Sequence, residues 1–73
     1  FNKILVNDIE KSSEWYQENL GFKSIFKFKN EQNQILMEHL RLAKYKDLML
    51  ISANSLKSVM QFIQIYLYQI FEF

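Results

Sequence analysis

The chain contains a single glycine, and its position marks the end of a helix. Gly21 follows Leu20, just past a helical run, where a left-handed backbone favours a residue without a Cβ. At the other end of the run Asp8 sits where an N-cap belongs. Its carboxylate can accept from the free N–H groups of the first turn, and Glu10 complements the helix dipole there. Between these stops Ile9, Ser12, Trp15, Tyr16 and Leu20 recur at three-to-four spacing. That spacing predicts a helix over residues 9–20 with one buried stripe, and it assigns Trp15 and Tyr16 to the core.

Strands are predicted on both sides. Phe1 to Asn7 is short, apolar and β-leaning, with Ile4 and Val6 on one face and Lys3 and Leu5 on the other. Phe22 to Lys29 reads as a half-buried strand: strict alternation puts Phe22, Phe26 and Phe28 on one face. Lys23, Lys27 and Lys29 then share the other face as one solvated edge. Asn30 to Asn33 is a polar turn, and Leu48 to Ala53 is short and apolar enough to be a buried strand.

Residues 34–44 (QILMEHLRLAK) point two ways. Gln, Leu, Met, Glu, Arg and Ala are good helix formers, and Asn33 could cap such a helix. Read as a strand, the same residues place Leu36, Leu40 and Leu42 on one face and Met37, His39 and Arg41 on the other. Residues 56–73 are also open. A narrow polar stripe favours helix, while the Ile, Phe and Tyr content favours strand. From Phe62 to Phe71 there is neither charge nor proline, so this stretch calls for cover by another strand or chain.

With 73 residues the chain is long enough for one small domain. At this length folding buries only ~60% of the unfolded surface, and with no cysteine no disulfide can add to the core. The 49% hydrophobic and 16% aromatic content argues against disorder. A net charge of +1 lacks the basic face of a nucleic-acid protein. No apolar run reaches the ~18 residues of a membrane span, and the first residues carry no secretion signal. The absence of cysteine fits a cytoplasmic protein. Charge is uneven: from Leu48 to Phe73 only Lys57 and Glu72 are charged.

Few residues carry chemistry. His39 is the only histidine and Glu38 is its neighbour. On a strand adjacent residues point to opposite faces, so the two cannot share a ligand or act as an acid–base pair. Ser12 and Ser13 lack a nucleophile elbow, and one glycine cannot build a phosphate-cradling loop.

The run Val6-Asn7-Asp8-Ile9-Glu10-Lys11-Ser12, then Trp15-Tyr16, then Leu20-Gly21-Phe22, resembles the opening of a vicinal oxygen chelate module. Modules of this kind make up the glyoxalase/bleomycin-resistance/dioxygenase superfamily. Leu40 to Ile51, with its Asp47-Leu48-Met49-Leu50 core, looks like that family's third and fourth strands. The resemblance covers about residues 1–53, leaving 54–73 as an apolar tail, strand or helix. It implies an α+β fold, a single βαβββ module, and therefore a strand at residues 34–44. This chain departs from the pattern at Lys46, where the family often has glycine, and nothing after Ala53 resembles a second module.

In the family two modules pair around a shared cavity, so the resemblance implies a homodimer. Metal-dependent members use a His or Gln on the first strand and a Glu on the fourth. Here those positions fall near Phe1 and Met49, neither of which suits a divalent ion, so no metal is expected. The family register sends Leu48 and Leu50 toward the helix and leaves Met37, His39, Arg41 and Met49 on the concave face. His39 and Arg41 would there orient an anionic or polar group, with Met37 and Met49 as adaptable walls. The ordinary alternative is a strand with a partly solvated outer face. The favoured function is a metal-free small-molecule binding module working as a dimer. One alternative is a lactoylglutathione lyase-like or dioxygenase-like enzyme, with a divalent metal held by His39, Glu38 or Glu72. Another is a truncated or degenerate module without activity.

Overall fold

The structure is a computed structural model that describes residues 2–53 and residue 65. Its elements are β1 (Asn2–Val6), α1 (Ile9–Leu20), β2 (Lys23–Lys29), β3 (Ile35–Ala43) and β4 (Lys46–Ser52). The fold is thus α+β in βαβββ order. The four strands form one sheet in the order β1-β4-β3-β2. β1 runs parallel to β4, while β3 is antiparallel to both of its neighbours. The expected strand or helix of the 54–73 tail lies outside the described residues.

Both helix stops behave as the sequence predicts. Asp8 has extended backbone (φ −136°), and its Oδ1 accepts from the Lys11 N–H at 3.1 Å. Gly21 is left-handed at φ 79°, and its N–H donates to the Tyr16 carbonyl. A Cβ at Gly21 would meet only Leu42 Cδ1 at 3.9 Å, so the backbone angle and not crowding demands glycine.

The buried stripe of α1 differs from the expectation. Ile9 and Ser13 are buried and Tyr16 packs on the core, but Trp15 is 53% exposed and Leu20 49%. Steps of ~100° per residue keep positions 9, 13 and 16 close to one line and carry Trp15 well to the side. Trp15 instead meets the edge of Tyr16, with ring centroids 5.2 Å apart at 87°. Leu20 lies on the line, at the last turn of the helix.

Under α1 the sheet contributes Leu40, Leu48 and Leu50, which form one cluster with Ile9; Ile4, Val6, Tyr16, Phe22 and Ile35 pack around it. Residues 34–44 take the strand and not the helix. β3 is hydrogen-bonded on both edges, and every residue from Leu36 to Leu40 is buried. Burial on both faces outweighs a per-residue helix preference of only a few tenths of a kcal/mol.

β2 corrects the strict alternation. Its register passes from Ser24 opposite Leu40 to Phe26 opposite His39, which leaves Ile25 as an extra, bulged residue. Phe22 therefore packs on the helix side, edge-on to Tyr16 at 5.7 Å, while Phe26 and Phe28 stand beside His39 and Met37 on the other face. The lysines divide too. Lys23 is paired with Arg41, whereas Lys27 is paired with Glu38 and, together with Lys29, lines a groove of about 510 Å³ beside α1.

The hairpin joining β3 to β4 turns at Lys44 and Tyr45. Tyr45 carries a left-handed backbone (φ 65°) with its side chain 86% exposed. The conformation that favours glycine thus falls one residue before Lys46.

Candidate functional site

The sheet face opposite α1 gathers the residues singled out from the sequence. In the antiparallel pairing of β3 with β4, Met37 faces Ile51, His39 faces Met49 and Arg41 faces Asp47. Directly opposed residues project to the same side of a sheet, so these six form three cross-strand rungs on one face. Phe26 and Phe28 extend the His39 and Met37 rungs across β2, and Lys3 and Leu5 extend the other side across β1. Met37, His39 and Met49 have no exposed surface, and Ile51 is also buried.

One polar cluster stands in this apolar floor. Arg41 donates twice to Asp47, Nε to Oδ1 at 2.8 Å and Nη2 to Oδ2 at 2.8 Å. His39 Nε2 lies 3.0 Å from the same Oδ2. The side chains of His39, Asp47 and Arg41 are 0%, 4% and 44% exposed. The cluster therefore runs from a fully desolvated imidazole, through a nearly buried carboxylate, to a guanidinium that reaches water. The Arg41 hydrogen bonds hold the Asp47 carboxyl below its ordinary value; burial opposes them and His39 adds to them.

Asp47 is the member that sequence reasoning missed as a site residue. A usable signal was present: a cation and an anion, Arg41 and Asp47, flank the short stretch that separates residues 34–44 from the apolar run at Leu48. Opposite charges so placed become cross-strand partners once a hairpin closes.

Glu38 lies on the other face, as the parity of a strand requires. Its Oε2 accepts from the Ser13 hydroxyl at 2.7 Å, and Ser13 Oγ accepts from Gln17 Nε2 at 2.8 Å. Glu38 and His39 are neighbours in sequence but have no partner in common among these bonds.

The profile of the Glyoxalase/Bleomycin resistance protein/Dioxygenase superfamily matches residues 2–65, most of the chain. The chain belongs to that superfamily. No curated protein and no solved structure matches it. The βαβββ order agrees with the superfamily's module.

Metal-dependent members of the superfamily invite a test of the donor set. Among the described residues no group of three or more His, Cys, Asp or Glu side chains could hold a metal ion. The fourth-strand position is Met49, a thioether where a hard or borderline divalent ion wants carboxylate oxygen or imidazole nitrogen. Both oxygens of Asp47 already accept from the Arg41 cation, which an incoming divalent ion would have to displace. The described residues of this glyoxalase-type module do not fit a divalent ion. No helix among them is long and apolar enough to cross a membrane.

Proposed function

We propose that this superfamily member is a metal-free small-molecule binding module that works as a homodimer, each copy contributing one βαβββ unit to a shared cavity. The observation that carries the reading is the His39–Asp47–Arg41 cluster, set in a floor of Met37, Met49 and Ile51. An apolar surface with a few convergent polar groups is the usual composition of a small-molecule site. Arg41, the cluster member that reaches water, takes an anionic or polar group of the ligand directly, and His39, Met37 and Met49, which have no exposed surface, shape the floor beneath it.

The test has two parts. Light scattering across a concentration series is expected to give a stable species near twice 8.9 kDa. Thermal shift against aromatic, thiol-conjugate and glycopeptide ligands is expected to find at least one stabilising compound whose effect weakens in Arg41→Gln. A monomer at all concentrations that no ligand stabilises would overturn the reading in favour of a module without activity. Stoichiometric nickel, zinc or iron retained through dialysis would overturn its metal-free part.

A further inference from the structure

We propose that Asp47 is the positioning residue of this face: its carboxylate holds the His39 imidazole in the Nε2–H tautomer and the Arg41 guanidinium in a fixed plane. The inference rests on the binding reading for its functional meaning, but its physical content stands on geometry alone. An ionised carboxylate only accepts hydrogen bonds, so each group that bonds to it must bring a proton. Oδ2 lies 3.0 Å from His39 Nε2, so in the neutral imidazole the proton is on Nε2. The same carboxylate takes Arg41 Nε and Nη2 in a two-point contact at 2.8 Å, a geometry that fixes the fork's plane as well as its distance.

The three residues enter this contact from different settings. His39 is completely buried, so the hydrogen bonds its ring makes, that to Asp47 among them, decide which nitrogen carries the proton. Arg41 is nearly half exposed on a long flexible stem, and the two-point contact with Asp47 restricts where its head can lie. Asp47 sits at the start of a central strand directly opposite Arg41, in the rung next to His39 and Met49, so backbone pairing delivers the carboxylate to both. The consequence for recognition is a site whose hydrogen-bonding polarity is set in advance, with little ordering left for the moment a ligand arrives.

His39 is the chain's only histidine, so its ring signals are unambiguous. Two-dimensional long-range ¹H–¹⁵N spectra of the ligand-free full chain, recorded at alkaline pH where the ring signals no longer move, read the tautomer directly. The expected result is a protonated Nε2 and an unprotonated Nδ1, with the Nε2–H and Arg41 Nε–H protons both protected from exchange with water. Asp47→Leu is expected to abolish both protected signals. Arg41→Gln, which keeps the carboxylate, is expected to lose only its own. A wild-type Nε2 without a proton overturns the proposal, even if Asp47→Leu fails to fold. So does an Asp47→Leu protein whose Nε2–H signal persists unchanged. Because no ligand is present, a protein that responds to no compound in the panel can still show the tautomer, and the two readings fail separately.

Discussion

Ser13 on α1 donates its hydroxyl proton to Glu38 on β3 at 2.7 Å, a buried bond between residues 25 positions apart. It is a polar link between helix and sheet beside an apolar cluster of Ile9, Leu40, Leu48 and Leu50. Replacing Ser13 by Ala leaves the Glu38 carboxyl buried without this donor and Gln17 without its acceptor. The expected cost is about 2 kcal/mol, the usual range for a stranded buried polar group. Urea unfolding measures it, and a Ser13→Ala protein as stable as wild type would show that the bond contributes nothing.

Asp47 makes stability depend on pH with a definite sign. Its carboxyl is held below the ordinary 3.8 when folded, chiefly by Arg41. A depressed carboxyl contributes stability that is fully present above its unfolded value and is lost as pH falls through the folded one. Wild type is therefore expected to exceed Asp47→Asn in stability at neutral pH, and the gap to narrow once pH drops below 3.8. Paired denaturation curves over that acid range test this, and a gap that widens toward acid would refute it.

Two left-handed residues should respond in opposite directions. Gly21→Ala forces a Cβ onto φ 79° and is expected to destabilise by ~1 kcal/mol. Tyr45 already bears that strain at φ 65°. Tyr45→Gly is expected to gain about 0.5 kcal/mol, because relief of roughly 1–2 kcal/mol exceeds the added freedom of the unfolded chain. Melting temperatures of the two variants should move apart around wild type.

The two faces of β4 should differ in tolerance. Leu50→Ala opens a cavity beneath α1 and is expected to cost ~3 kcal/mol. Met49→Leu conserves volume in a site with no exposed surface and should cost under ~1.5 kcal/mol. Calorimetry ranks the pair, and the reverse order would mean that the tighter packing lies on the site face.

How much of this was legible in the sequence depends on the range of the interaction that decides each element. The ends of α1 were legible because Asp8 and Gly21 act on backbone atoms within a few residues of themselves. β3 was not settled by propensity; its strand form depends on two neighbouring strands, and only the family resemblance implied it. Trp15 satisfied the loose rule of three-to-four spacing but not the angle that burial requires. Met37, His39 and Arg41 could be assigned to one face by parity, since β3 alternates regularly from Met37 to Arg41, whereas Met49 joined them only through the register that the family resemblance implied. Asp47 escaped notice because its role appears only when the hairpin register is known.

The bulge at Ile25 separates the length of β2 from the identity of its faces. Ser24 stands with Leu40 on one side and Phe26 with His39 on the other, as two adjacent strand residues would. Removing Ile25, whose side chain is 47% exposed, would therefore make Ser24 and Phe26 adjacent and leave every neighbouring side chain on its present face. Deleting a residue between Phe26 and Phe28 would instead exchange faces along part of the strand. Within a strand in which substitutions are judged by the face they occupy, position 25 is where a one-residue gap can be accommodated.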